Sequence, residues 1–120
     1  MSRNLVNSIC AGFAGAAQSD PWGGGHDAWK VGGKMFACIG AVRPGVSVKT
    51  PSLEDAALLI DMGRAERAPY FHRSWVLVPW DTVPEDEMRD RLATSYRIVR
   101  AGLSKKLQAS LGPGPEAPGG

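Results

Sequence analysis

The segment from Trp22 to Gly40 constrains the fold most, because two strand-like stretches there flank a pair of glycines. Gly32 and Gly33 are predicted to form the turn, since consecutive glycines supply the positive φ angles of a tight hairpin. The second stretch alternates one set of side chains with another: Met35, Ala37 and Ile39 with Lys34, Phe36 and Cys38. We therefore expect a β-hairpin at the centre of an antiparallel sheet, with the first set facing the core.

Patterns of period 3.6 and period two predict the elements around this hairpin. Helices are expected over about residues 3–12, 51–62 and 84–103, with a short basic helix at 104–111. Strands are expected at 46–49 and 74–80, with an extended connection over 64–71 and a glycine-rich loop, broken by a short strand around Trp22, over 15–25. Thr50 is the expected N-cap of the second helix, with Pro51 in its first position. The predicted fold class is α+β, an antiparallel sheet with helices packed on one face.

Length and composition predict a single domain. A chain of 120 residues with 43% hydrophobic residues can bury one core, which we place over residues 1–111. Residues 112–120 are rich in glycine and proline, and we expect them to form a disordered tail. No apolar run approaches the roughly 18 residues that a membrane span needs, so we expect a cytoplasmic protein with no membrane partner. Cys10 and Cys38 are interpreted as buried free thiols.

Charge is unevenly distributed along the chain, although the net charge is only +2. The first 50 residues contain five basic side chains and two acidic ones, and residues 89–106 contain six basic side chains and one acidic. The sequence therefore predicts a local basic surface on a protein that is nearly neutral overall.

No arrangement of residues predicts catalysis or metal binding. The glycine and lysine of the turn do not form a phosphate loop, since Ala28 and Met35 occupy positions where that motif needs glycine and Ser or Thr. His26 and His72 are the only histidines, and neither has sequence neighbours that complete a metal site. We therefore predict a protein that is not an enzyme and has no metal or cofactor.

One face of the predicted sheet is a candidate binding surface. If the hairpin alternates regularly, Lys34, Phe36, Ser47 and Lys49 share the face opposite the helices. Lys30 is expected to join them across the hairpin, and Trp75 or Trp80 adds an aromatic ring. Lysines around exposed rings hold nucleic-acid phosphates and bases in many proteins. The alternative is that these lysines only keep an open sheet soluble and block edge pairing.

Four segments of the chain resemble the MmcQ/YjbR family of small bacterial proteins. They are WGGGHDAWKVGGKMFA at 22–37, VSVKT at 46–50, APYFHRSWVLV at 68–78 and SYRIVRAGL at 95–103. The resemblance spans roughly Leu5 to Leu107. It implies a fold similar to bacterial frataxin (CyaY-like) and DNA binding through a double-wing arrangement. The matching positions are Lys34, Lys49, Pro69, Tyr70, Trp75, Ser95 and Tyr96. An iron role is not carried over, because the first helix has no Asp or Glu.

The leading hypothesis is a DNA-binding protein that uses its sheet face and hairpin. Lys30, Lys34, Lys49 and Arg73 would contact phosphates, while Phe36 and Trp75 would contact bases. The alternative is a small-molecule-binding or resistance protein that sequesters an aromatic ligand in a pocket lined by Trp22, Trp29, Tyr70 and Trp75. A third hypothesis is a protein-interaction module that uses an exposed sheet edge. The sequence predicts no oligomeric state.

Overall fold

The computed structural model describes residues 1–113, which form four helices and six strands. The helices are α1 (Arg3–Ala11), α2 (Leu53–Asp61), α3 (Glu85–Ala101) and α4 (Lys105–Ser110). The strands are β1 (Ala17–Ser19), β2 (Asp27–Val31), β3 (Lys34–Ile39), β4 (Gly45–Lys49), β5 (Glu66–Arg67) and β6 (Trp75–Pro79).

The strands form one antiparallel sheet in the order β1-β2-β3-β4-β6-β5. The predicted α+β class is therefore confirmed. Pro79 is the last residue of an inner strand, where the missing N–H does not interrupt the ladder. The short strand expected around Trp22 instead lies at 17–19, and β5 lies within the predicted extended connection. Both are short edge strands, too brief for a period-two pattern to show.

The core lies between the sheet and helices α1 and α3. Its largest fully buried side chains come from both layers: Tyr96, Phe36, Ile39, Met88, Leu92, Val6, Val31, Val46, Val48, Val76 and Val78. Helix α2 packs at the other end of the sheet, against β5 and β6. Cys10 and Cys38 are buried free thiols, as predicted. Burial raises the pKa of the Cys10 thiol to about 12.

The hairpin turn has the predicted geometry. Gly32 and Gly33 have φ angles of 56° and 81°, so both central residues adopt the left-handed conformation of a type I′ turn. Gly32 is also required for packing, because a Cβ there would lie 2.6 Å from Leu103 Cδ1. The turn therefore joins β2 to β3 and also packs against Leu103, in the segment that follows α3.

A serine caps helix α2, and the prediction of Thr50 as its cap was wrong. The Ser52 hydroxyl accepts a hydrogen bond from Asp55 N at 3.0 Å, so the helix begins at Leu53. The Thr50 hydroxyl instead donates to the Ser74 carbonyl at 2.7 Å. Thr50 therefore ties β4 to the segment that enters β6.

A β-bulge at Phe36 overturns the predicted alternation of β3. Trp29 lies opposite Ala37 and Lys30 lies opposite Met35, which leaves Phe36 as the extra residue. Phe36 is fully buried and its ring packs edge-on against Tyr96, at 5.4 Å between centroids. The predictions that Phe36 faces away from the helices and that Met35 faces them were both wrong, because one inserted residue reverses the side-chain faces. The predicted face of Lys34 was wrong for the same reason, since Lys34 lies opposite Val31, a fully buried residue of the core.

The buried Ser95 hydroxyl of α3 bridges β3 and β4 at the bulge. It accepts a hydrogen bond from Lys49 N at 2.8 Å and donates one to the Phe36 carbonyl at 2.6 Å. The pairing of β3 with β4 ends at Ala37 and Val48, so these two backbone groups lie just beyond the ladder. Ser95 therefore satisfies both backbone groups where the strands separate.

Two further predictions concern the C-terminal tail and the absence of a membrane span. The predicted tail begins at Gly112, and residues 114–120 lie outside the described residues. Within residues 1–113, no helix has both the length and the apolar composition to cross a bilayer.

A carboxylate in β2 joins three elements near the N-terminus. Asp27 accepts hydrogen bonds from Arg3 of α1 at 2.5 Å, Gln18 of β1 at 2.5 Å and Asn7 of α1 at 3.1 Å. Partial burial opposes ionisation of this carboxylate, but the hydrogen bonds and the Arg3 charge outweigh it and lower the pKa of Asp27.

The Asp27 network predicts acid-sensitive stability. An unfolded Asp titrates near pH 3.9, and the folded pKa lies lower, so Asp27 contributes stability above that pH and loses it as pH falls through the folded value. We expect Asp27→Asn to lower the free energy of unfolding by about 1–2 kcal/mol at pH 7. The cost should shrink below about pH 4. Urea unfolding at pH 7 and at low pH measures both effects. Glu85→Gln, at a half-exposed carboxylate, is the control, and an equal cost of Asp27→Asn at both pH values would contradict the prediction.

Candidate functional site

The sheet face opposite α1 and α3 forms the candidate site, which we call the open face. Cys38, Ser47 and Leu77 lie side by side across β3, β4 and β6. In the next row of this face Lys49 lies directly opposite Trp75. The bulge brings Met35 to the same face, opposite Lys30 of β2.

The open face contains a broad apolar groove of about 730 Å³. Strand side chains form its floor, and three loops form its walls. The lining residues are Trp22, His26, Met35, Cys38, Gly40, Ala41, Val42, Arg43, Ser47, Pro69, Tyr70, Phe71 and Leu77. This volume lies within the range of small-ligand sites.

The glycine-rich loop positions Trp22 at one wall of the groove. Its backbone amides surround the Asp20 carboxylate, with N···O distances of 3.1 Å for Gly23, 3.0 Å for Gly25 and 3.3 Å for His26. The hydrogen bond from Gly25 is the main cause of the lowered pKa of Asp20. Since Asp20 occupies these amides, they are not free to bind an external anion. The loop instead presents the Trp22 ring, which is 58% exposed.

Tyr70 forms the opposite wall in a strained conformation. The segment from Ala68 to Phe71 is a turn closed by a hydrogen bond from Phe71 N to the Ala68 carbonyl, at 3.4 Å. Pro69 and Tyr70 are its central residues, and Tyr70 has a φ of 72° where glycine is usual. Within residues 1–113 it is the only residue other than glycine with positive φ. The Tyr70 ring is fully exposed, so the turn holds an aromatic side chain in solvent at the cost of backbone strain.

A smaller basic depression of about 280 Å³ adjoins the groove. Its lining combines two lysines with apolar residues of β3, β6 and the end of α3: Lys34, Met35, Lys49, Trp75, Ile98, Val99 and Gly102. The Trp75 ring stacks on Phe71, with 4.7 Å between centroids and 23° between planes. Because Met35 lines both cavities and Phe71 touches Trp75, the groove and the basic depression form one continuous surface.

The lysines of this surface are not neutralised by neighbouring carboxylates. Within residues 1–113, Lys30, Lys34 and Lys49 form no ion pair, whereas Arg43 at the far end of the groove pairs with Glu66. Unpaired cations beside exposed rings are suited to anionic ligands that also carry flat rings.

The structure brings together only part of the predicted site. Lys34, Lys49 and Trp75 line the basic depression, and Lys30 lies opposite Met35 in the adjacent strand. Arg73 is exposed in the loop before β6 and lines neither cavity. Phe36 does not reach the open face, because the bulge turns it into the core.

The predicted aromatic pocket is also only partly formed. Trp22 and Tyr70 line the groove, and Trp75 lies beside it. Trp29 lies on the helix side, 5% exposed, and its indole N–H donates to Asn7 at 2.8 Å, so its inclusion was wrong. Sequence reasoning missed Phe71 as a site residue, although it ends the predicted extended connection beside Tyr70.

The site does not have the chemistry of a metal centre. Among residues 1–113, no three His, Cys, Asp or Glu side chains lie together in a way that could hold a metal ion. Cys38 lies on the groove floor, where burial, aided by the charge of Asp27, raises the pKa of its thiol. The thiol therefore stays protonated near neutral pH and is a poor nucleophile.

Comparisons with known proteins agree with this architecture. The YjbR family model matches residues 11–98, and the chain belongs to the YjbR family. It is similar to the uncharacterised protein YbdF of Escherichia coli O157:H7, with 29% identity over 98 residues that cover 78% of this chain and 80% of that protein. The crystal structure of Deinococcus radiodurans protein DR2400, a DUF419 domain, superposes with a TM-score of 0.82. That match has 22% identity and covers 99% of this chain and 93% of the other, so it supports the fold alone.

Proposed function

We propose that the protein binds DNA without catalysing a reaction, and that the open face holds a single strand. The observation that carries this proposal is the combination of exposed rings with unpaired lysines on one continuous surface. Trp22 and Tyr70 supply the exposed rings, and Lys34 and Lys49 supply the charges beside Trp75. The proposal keeps the leading hypothesis from the sequence and replaces Phe36 with the rings of the groove walls.

Two energy terms would hold the strand. Each lysine that contacts a phosphate releases condensed counterions, so affinity falls as salt concentration rises. Each base that stacks on an aromatic side chain contributes about 1–3 kcal/mol. The lysines of the basic depression would hold phosphates while the groove takes the bases.

The shape of the groove favours a single strand over a duplex. The floor of the groove is apolar and lies between walls formed by Trp22 and Tyr70. Bases in a duplex are stacked and paired, so their faces cannot reach a groove floor or stack on a side chain without unpairing. An unpaired strand exposes its bases and pays no such cost.

A fluorescence titration with oligothymidine tests the proposal. Trp22 and Trp75 lie on the binding surface, so stacking of bases should quench tryptophan emission. We expect saturable binding at low salt, weaker binding as salt rises, and weaker binding of a duplex of the same length. Absence of binding at low salt, or a preference for the duplex, would contradict the proposal. A cytoplasmic location, where bacterial DNA is found, forms part of the same proposal.

A small aromatic molecule is the second candidate ligand. The apolar lining and the volume of about 730 Å³ favour it, because such clefts can bury most of a drug-sized ligand. This binding would depend little on salt, whereas binding of DNA would depend on it strongly. Titration with a neutral planar dye at low and high salt separates the candidates, since tight binding of the dye without binding of oligothymidine would favour the second.

A further inference from the structure

Helix α2 exposes an unusual concentration of large apolar side chains. Leu53, Leu58 and Met62 are 53%, 55% and 61% exposed, and Ile60 is 39% exposed. These four lie within ten residues of the chain, on a helix in which only Ala56 is buried. Clusters of exposed apolar residues on otherwise soluble domains commonly mark interaction surfaces.

The exposed side chains of α2 form two rows. At 3.6 residues per turn, Leu53 and Ile60 lie along one side of the helix, and Leu58 and Met62 lie along the other. Two carboxylates seven residues apart, Glu54 and Asp61, lie between the rows on the solvent-facing side of the helix, which we call the crest. A partner that covers both apolar rows must therefore also cover these two charges.

Neither crest carboxylate is paired within the fold, although Glu54 lies in the first turn of α2, where the helix dipole favours a carboxylate. Among residues 1–113, the side chains of Glu54 and Asp61 have no hydrogen-bond or ion-pair partner, and residues 50–63 include no basic residue. Asp61 lies in the last turn of α2, where the negative end of the helix dipole disfavours a carboxylate. The position of Asp61 therefore costs stability without an internal compensation.

We propose that α2 is a docking site for a basic amphipathic helix of a partner protein. Apolar side chains of the partner would cover the two rows, and Lys or Arg residues spaced by seven would meet Glu54 and Asp61. The crest charges would then be paired as they lose water, which is the condition for burying them without a large penalty.

Charge complementarity selects this occupant over a second copy of the chain. Two α2 helices packed crest to crest bring carboxylates together. The antiparallel register that aligns Leu53 with Met62 also places Glu54 against Asp61 of the other copy. Like charges opposed in an interface disfavour it. The same charges repel an anionic membrane surface.

The test uses a synthetic peptide of about 21 residues, three heptads of leucine and lysine with lysines spaced by seven. Anisotropy of the labelled peptide should show saturable binding to the full-length protein, and the double variant Glu54→Gln/Asp61→Asn should weaken it about ten-fold or more. Val42→Ser, at a 90% exposed residue of the groove, is the control and should leave the affinity unchanged. Circular dichroism checks that each variant is folded.

Several outcomes would overturn the proposal. They are equal binding of a peptide in which glutamates replace the lysines, an unchanged affinity of the double variant, and displacement of the peptide by oligothymidine. A dimer in sedimentation that Leu58→Ser/Met62→Ser abolishes would assign α2 to a second copy instead. Binding of the peptide and binding of oligothymidine are measured in separate titrations. Failure of the peptide to bind α2 therefore leaves the proposal of DNA binding on the open face unaffected, and failure of oligothymidine to bind leaves the α2 proposal unaffected.

Discussion

Replacing Ser95 with alanine is expected to lower the free energy of unfolding by about 2–4 kcal/mol, because two backbone groups, one buried and one partly buried, lose their hydrogen-bond partner. Ser95 satisfies Lys49 N and the Phe36 carbonyl where β3 and β4 separate. The hydroxyl is buried, so water cannot replace it without entering the core. Relative to a typical domain stability of about 5–15 kcal/mol, this loss is large.

Urea unfolding of the Ser95→Ala variant measures this effect. Ser8→Ala is the matched control, because Ser8 is exposed on α1 and its replacement should change stability by no more than about 0.5 kcal/mol. A change at Ser95 as small as that at Ser8 would contradict the account of the bulge. The variant should also bind oligothymidine more weakly, because the Ser95 hydroxyl accepts a hydrogen bond from the backbone N–H of Lys49 and so helps to position that lysine.

Replacing Tyr70 with glycine is expected to separate stability from binding. Glycine adopts a φ of 72° without strain, so the variant should be as stable as the wild type or more stable. The same change removes the fully exposed ring of the groove wall. Loss of one stacking contact worth about 1–3 kcal/mol should weaken oligothymidine binding about five-fold to more than a hundred-fold.

The control for Tyr70→Gly is Tyr70→Phe, which keeps the ring and the strain. It should bind oligothymidine with nearly wild-type affinity and have nearly wild-type stability. If Tyr70→Gly binds as tightly as the wild type, the ring has no part in binding and the strain has another cause. If Tyr70→Gly is markedly destabilised, the turn does not carry the strain that its φ angle indicates.

Regular periodicity made much of the fold predictable from the sequence. The glycine pair fixed the hairpin turn, and apolar residues at helical spacing placed α1, α2 and α3 within a few residues of their bounds. These signals are local, so they can be read without knowing the tertiary structure. The alternation of β4 also placed Ser47 and Lys49 correctly on the open face.

The bulge was not predictable from the same pattern. A period-two reading assigns every residue of β3 to a face, and an inserted residue such as Phe36 leaves no mark in the sequence. Ser95 stabilises the bulge through its hydroxyl, which contacts both strands. It lies 59 positions away from Phe36 in the sequence. Contacts of such long sequence separation depend on tertiary packing, which local patterns do not contain.

The site was predicted only where the strand faces were read correctly. Lys49 and Trp75 lie together on the open face as expected. Lys34 reaches the same depression from the opposite face of β3, and Phe36 and Trp29 are buried on the helix side. Pro69 favoured an extended connection, and the sequence gives no sign of a turn in which Tyr70 occupies the position that glycine normally takes. Strain of this kind is visible only in the backbone angles.

The most direct test of DNA binding compares the salt dependence of wild-type protein with that of Lys34→Ala/Lys49→Ala. For a single strand, the slope of log affinity against log salt concentration should become less negative by about 0.7 for each phosphate contact removed. Lys105→Ala/Lys106→Ala removes the same charge from exposed positions of α4 and is the control. We expect a flatter slope and weaker binding for the first variant alone. Equal slopes for the wild type and both variants would contradict this expectation.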